Sequence, residues 1–155
     1  KTRFSYLART AAATEIVLGD ARLQMENEPD QRFDVLVVDA FSGDSVPIHL
    51  LTREAFAQYF RHLKPDGVLA VHITNRFLDL QPVVKAAADH FGKDIRLVDF
   101  AGDRQRQVFR SHWALISGDP AFFRHPQLAD ATPISARPGF QPWRDDYSSI
   151  FAILM

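Results

Sequence analysis

The sequence contains no cysteine. That excludes disulfides, thiolate metal sites and cysteine nucleophiles, and it fits a reducing, cytoplasmic setting. Glycine is scarce: there are seven in 155 residues, and no two stand at G-x-G spacing. The glycine-rich turn that cradles a dinucleotide, the P-loop and the G-x-S-x-G elbow of serine hydrolases are all missing. The six histidines show no H-x-x-x-H spacing, so no metal site is expected. An excess of one charge is also lacking. Eighteen basic residues face 19 acidic ones, a net charge of −1, which leaves no basic field for nucleic acid or an anionic membrane. No apolar run approaches the roughly 20 residues of a membrane span. What remains is 46% hydrophobic, with 13 phenylalanines, and reads as one globular domain over residues 1–155.

The organising stretch is Phe33-Asp34-Val35-Leu36-Val37-Val38-Asp39, followed by Ala40-Phe41-Ser42-Gly43-Asp44. Four consecutive apolar residues, three of them valine, predict a strand buried on both faces at the centre of a parallel sheet. The run ends on a carboxylate, Asp39, and a loop holding a second one, Asp44, follows. Ligands of open parallel sheets bind at the carboxyl ends of the strands. An aspartate there is either a loop cap or a working group.

Along the chain, Lys1–Thr14 reads as the end of a helix, Glu15–Leu18 as a short strand and Ala21–Asn27 as a helical turn or two. Thr52 is placed to cap a helix through about His62, with Phe56, Tyr59, Phe60 and Leu63 as its apolar stripe. Lys64-Pro65-Asp66-Gly67 has turn composition. A strand at Val68–Ile73, a helix at Leu78–Phe91 stopped by Gly92, and strands at Ile95–Phe100 and His112–Ser117 follow. The proline-rich 118–139 segment reads as loop with a short helix at Ala121–Phe123, and Asp145–Met155 as a last helix or strand. Alternating strands and helices from 15 to 100 predict βαβ architecture and a parallel sheet.

Several runs, taken in order, resemble the spermidine synthase family. They are Val17-Leu18-Gly19-Asp20-Ala21-Arg22-Leu23, the Phe33–Asp44 stretch, Leu51-Thr52-Arg53-Glu54 and His62-Leu63-Lys64-Pro65-Asp66-Gly67-Val68-Leu69. These are aminopropyltransferases built on the S-adenosylmethionine methyltransferase fold. The closest likeness is to the bacterial branch fused to a membrane-transporter-like segment, through His72-Ile73-Thr74-Asn75-Arg76-Phe77-Leu78-Asp79-Leu80 and Trp143-Arg144-Asp145-Asp146-Tyr147-Ser148. The resemblance implies an α/β, Rossmann-like, methyltransferase-type parallel sheet that lacks the first strand–helix–strand. It departs from the family in having no glycine-rich cofactor loop and in the spacing of the aspartates in the loop after the central strand.

The resemblance also implies roles. Asp20, with Ala21 beside it, matches the contact to the adenine amino group of decarboxylated S-adenosylmethionine or S-adenosylmethionine, and an acceptor-only carboxylate suits an exocyclic NH₂. The same aspartate reads equally as a helix N-cap. Asp39 matches the catalytic base that takes a proton from a polyamine substrate before the amine attacks the carbon beside the sulfonium. Asp44 matches the site for the far ammonium, or is a turn aspartate. Asp146 and Tyr147, with Asp145, close the pocket from the C-terminal side or cap the last helix. Three functions stay open: an aminopropyltransferase domain, a non-catalytic remnant serving as a binding or assembly module, and a small-molecule methyltransferase. Without its first strands, the chain is expected either to pair the Glu15–Leu18 and Phe33–Asp39 strands directly or to form a homodimer over the gap.

Overall fold

The computed structural model describes residues 5–40 and 47–155. The elements are α1 (Tyr6–Arg9), α2 (Ala21–Asn27), β1 (Phe33–Val38), α3 (Arg53–His62), β2 (Leu63–His72), α4 (Gln81–His90), β3 (Asp94–Phe100), β4 (Ser111–Ser117) and β5 (Thr132–Pro133), with short 3-10 turns between and after them. Five strands make one mixed sheet in the order β1-β2-β4-β3-β5. Among the described residues only β1 and β2 run parallel; β4 is antiparallel to both its neighbours, and β5 to β3. The fold is α/β as expected, but the parallel part is one strand pair.

The helices start where their caps stand. The Thr52 hydroxyl accepts the Ala55 N–H at 3.3 Å, and the Asp20 carboxylate accepts that of Leu23 at 3.1 Å. Gly92, at φ +61°, follows α4 in the left-handed conformation that ends helices. The Lys64–Gly67 turn composition is realised inside β2. Between Phe33↔Leu63 and Val35↔Val68, a two-residue step in β1 is matched by a five-residue step in β2. The chain bulges there, and a Cβ on Gly67 would lie 3.0 Å from the Phe33 carbonyl oxygen.

Packing is one-sided at β1. Phe56 and Tyr59 of α3 and Val83, Val84, Ala87 and Ala88 of α4 form one buried cluster with Leu69, Val71, Ala114, Ile116 and Ile95 of the sheet. Leu36 and Val38 pack against that cluster. Val35 and Val37, one pleat out of phase, point to the other face and are 56% and 55% exposed. Burial of the valine-rich strand on both faces is therefore not what the structure shows, because α3 and α4 lie on one face only.

The expected strand at Glu15–Leu18 is not a strand: Thr10–Gly19 has no regular structure and is exposed, Leu18 by 86%. It does not pair with β1, whose sole sheet partner among the described residues is β2. Four residues have too few hydrogen bonds and too little buried surface to hold as a strand without a neighbour. The helix read at Lys1–Thr14 is the single turn α1 in the described part. The last segment forms a 3-10 turn at Ile150–Ile153, with Ile153 fully buried. Among the described residues no helix is long and apolar enough to cross a membrane.

The two faces predict opposite responses to substitution. Phe56→Ala removes a fully buried ring and is expected to cost about 3–5 kcal/mol in urea unfolding. Val37→Thr on the uncovered face is expected to change stability by less than about 0.5 kcal/mol. A large loss at Val37 would show that this face is covered.

Candidate active site

The carboxyl ends of β1 and β2 lie side by side because the strands are parallel, in a register that pairs Val38 with Val71. The residue after each of these carries a polar group. Asp39 Oδ1 lies 2.8 Å from His72 Nδ1. A carboxylate only accepts, so this imidazole nitrogen carries the hydrogen and donates. His72 Nε2 is 2.6 Å from Thr74 Oγ1, which in turn accepts the backbone N–H of His112 at 2.7 Å. His72 stands opposite Trp113 in the β2–β4 register, and the two rings stack with centroids 4.8 Å apart. Asp39 itself remains 55% exposed at the side chain.

Asp20 caps α2, and its second oxygen, Oδ2, accepts from His49 Nε2 at 3.1 Å. The Leu23 N–H, helped by His49, holds its carboxyl below the usual range despite partial desolvation. The cap and the binding role are thus not exclusive: the capping carboxylate also lines a cleft of about 430 Å³ with Arg22, Leu23, Glu26, His49 and Asp145. An adjoining cleft of about 500 Å³ shares Arg22, His49 and Asp145 and extends along Pro47, Thr52 and Ser148. Ala21 is the first residue of α2, directly after the cap.

One guanidinium holds these walls together. Arg22 donates to both Asp145 oxygens, at 2.7 and 2.6 Å, to the His49 carbonyl at 2.9 Å and to Glu26 at 2.9 Å. The Thr52 hydroxyl donates to Asp145 Oδ1 at 2.7 Å. With Arg22 as the main cause and Thr52 assisting, against some desolvation, the Asp145 carboxyl is pulled down to about 2. The same pair raises the Arg22 guanidinium above its usual range.

The expected residues are not all gathered. Asp20 and Ala21 stand at the α2 cleft, and Asp39 at the β1 rim, paired with His72 and not among the residues lining the two clefts beside Asp20. Asp146 is exposed and pairs with Arg144 at 2.9 Å. Tyr147 is exposed and faces a separate hollow of about 410 Å³ with Arg53, His90 and Gln141. Of the three C-terminal candidates, Asp145 is the one that enters the Asp20 cleft. Asp44 lies outside the described residues. Sequence reasoning missed Arg22 and His49. They meet Asp145 and Asp20 across 123 and 29 positions, separations that no motif spacing encodes.

No protein-family model matches the chain. Over 61 residues, 38% of its length, it is 34% identical to the polyamine aminopropyltransferase of Vibrio vulnificus (strain CMCP6). That stretch spans one fifth (20%) of the curated relative. In solved structures it superposes on a probable spermidine synthase from Corynebacterium glutamicum ATCC 13032 with a TM-score of 0.62 at 22% identity, over 87% of this chain and 55% of that one. It also superposes on MNMC2 from Aquifex aeolicus with a TM-score of 0.51 at 16% identity, over 86% and 44% of the two chains. At these identities the structural likeness establishes the fold.

The Arg22–Asp145 contact predicts a specific acid sensitivity. A carboxyl held below its unfolded value stabilises the folded state above the unfolded pKa of about 3.9 and loses that contribution as pH falls towards about 2. Asp145 is 45% exposed at the side chain, so screening reduces the contribution to about 1 kcal/mol. Asp145→Asn is expected to lose that amount at pH 7 and to flatten the stability profile between about pH 4 and 2 in denaturant titrations. An unchanged profile would show that the contact contributes nothing.

Proposed function

Taking as premise a chain that is spermidine synthase-like in fold, we propose that it forms part of an aminopropyltransferase site, with Asp39 as the group that deprotonates the amine and Asp20 as the group that reads the adenine of the donor. The observation that carries this reading is the Asp39 carboxylate. It stands solvent-accessible just past the end of a parallel strand, held at one oxygen by His72. Its other oxygen has no partner among the described residues.

The donor, decarboxylated S-adenosylmethionine, supplies an electrophilic carbon beside a sulfonium. Asp39 accepts one proton from a protonated aliphatic amine, and its charge keeps the ammonium end close. The lone pair freed on the amine would be available to attack that carbon, with the C–S electron pair leaving on sulfur. Asp20 offers acceptor lone pairs at the mouth of the α2 cleft, which fit an exocyclic amino group. The described residues fit the adenine end of the donor. None of them is arranged as a cradle for the sulfonium chain, and no glycine-rich turn exists in the sequence. That mismatch, together with a β1 edge that has no strand partner among the described residues, favours as a second reading a non-catalytic binding module of the same fold.

Titration calorimetry with methylthioadenosine separates the two. Under the first reading the chain binds it in the micromolar to millimolar range. Asp20→Asn keeps an equally good N-cap but turns an amide NH₂ towards the adenine, and it is expected to weaken binding at least about tenfold. Absence of heat at millimolar ligand would leave the non-catalytic reading.

A further inference from the structure

We propose that His72 is a positioning residue for Asp39, and that the chain of contacts from the His112 backbone through Thr74 and His72 fixes which Asp39 oxygen is left for an aliphatic diamine. The proposal rests on the reading of Asp39 as the amine-binding base.

Hydrogen-bond direction along this chain of contacts selects one imidazole tautomer. The His112 N–H can only donate, so Thr74 Oγ1 accepts it, at 2.7 Å. The Thr74 hydroxyl hydrogen is then available to His72 Nε2, at 2.6 Å. With Nε2 accepting, the hydrogen of a neutral imidazole sits on Nδ1, which faces Asp39 Oδ1 at 2.8 Å. Every link is consistent with one tautomer, and the sequence of donors begins at a main-chain amide that the sheet holds in place. Trp113 stacks on the imidazole at an interplanar angle of 25°, which opposes rotation about its χ2. One hydrogen bond to the carboxylate and one aromatic wall therefore hold an exposed aspartate whose own strand has ended. Orientation of this kind affects binding and reaction more than stability, because a base must meet its proton within hydrogen-bond reach.

The test uses the full chain and putrescine as probe. Three variants are compared by calorimetry: Asp39→Asn, His72→Phe, which keeps a ring on Trp113 but removes both nitrogens, and His72→Asn, whose amide NH₂ can replace the Nδ1 donor. The expected result is a loss of putrescine affinity of about tenfold in His72→Phe, the effect of one hydrogen bond to a charged group, with recovery of most of it in His72→Asn. Nitrogen-15 NMR of the wild-type imidazole is expected to show the Nδ1–H tautomer, with its signals moved by Asp39→Asn. If Asp39→Asn abolishes binding while His72→Phe binds like wild type, the positioning role is overturned and the reading of Asp39 stands. If the wild type does not bind putrescine, or Asp39→Asn binds equally well, the reading of Asp39 fails and the proposal falls with it. Should His72→Phe not fold, the tautomer decides: a hydrogen on Nε2 in the wild type overturns the proposal.

Discussion

The parallel pairing of β1 with β2 is the constraint on which the rest depends. Parallel strands put their carboxyl ends at one edge of a sheet, and the register from Val35↔Val68 to Val38↔Val71 sets them level. Asp39 and His72 meet only for that reason. An antiparallel pair would carry them to opposite edges. The next pairing, antiparallel between β2 and β4, places Trp113 opposite His72 and the His112 amide within reach of Thr74. The parallel pair thus brings the Asp39 carboxylate to His72, and the antiparallel pair beside it brings the groups that hold the imidazole.

A second tie works at the flank of the sheet. Arg22 of α2 and Thr52 before α3 converge on Asp145, and the Arg53 N–H donates to the Trp143 carbonyl at 2.7 Å. Trp143 is buried, so the C-terminal segment is anchored by an apolar side chain and aimed by polar ones. His62, fully buried at the end of α3, completes the connection. Its Nδ1 accepts the Gln31 N–H at 3.3 Å and its Nε2 lies 2.8 Å from the Met25 carbonyl oxygen, which fixes the exit of α2. The Asp20 cleft is therefore framed by groups from three separate stretches, residues 20–26, His49 and Asp145, none of which forms it alone.

The apolar distribution is uneven in a way that matters physically. The face of the sheet under α3 and α4 is closed, while Phe33, Val35 and Val37 on β1 remain exposed beside a strand edge that has no partner among the described residues. An edge with exposed valines is a site where other strands add. Lys64 pairs with Asp34 on β1, and inward-turned or paired charges at such an edge disfavour indiscriminate addition.

The sequence by itself determined the local elements. Thr52 and Gly92 bound their helices as read, Ala21–Asn27 forms α2 residue for residue, and the valine run of β1 is a strand. These follow from capping geometry and hydrophobic period, which act over a few residues. Sequence likeness also pointed to the α/β fold of the spermidine synthases, through the order of its motifs. What only the tertiary structure decided is whatever depends on direction and distance between segments. Strand polarity at β4, the bare face of β1, the fate of Glu15–Leu18, and the meeting of Arg22 with Asp145 and of His72 with Asp39 all belong there. A side chain's own chemistry states what it can donate or accept, whereas its partner is chosen by how distant stretches pack, and that choice is made by burial of the whole core rather than by any short run of residues.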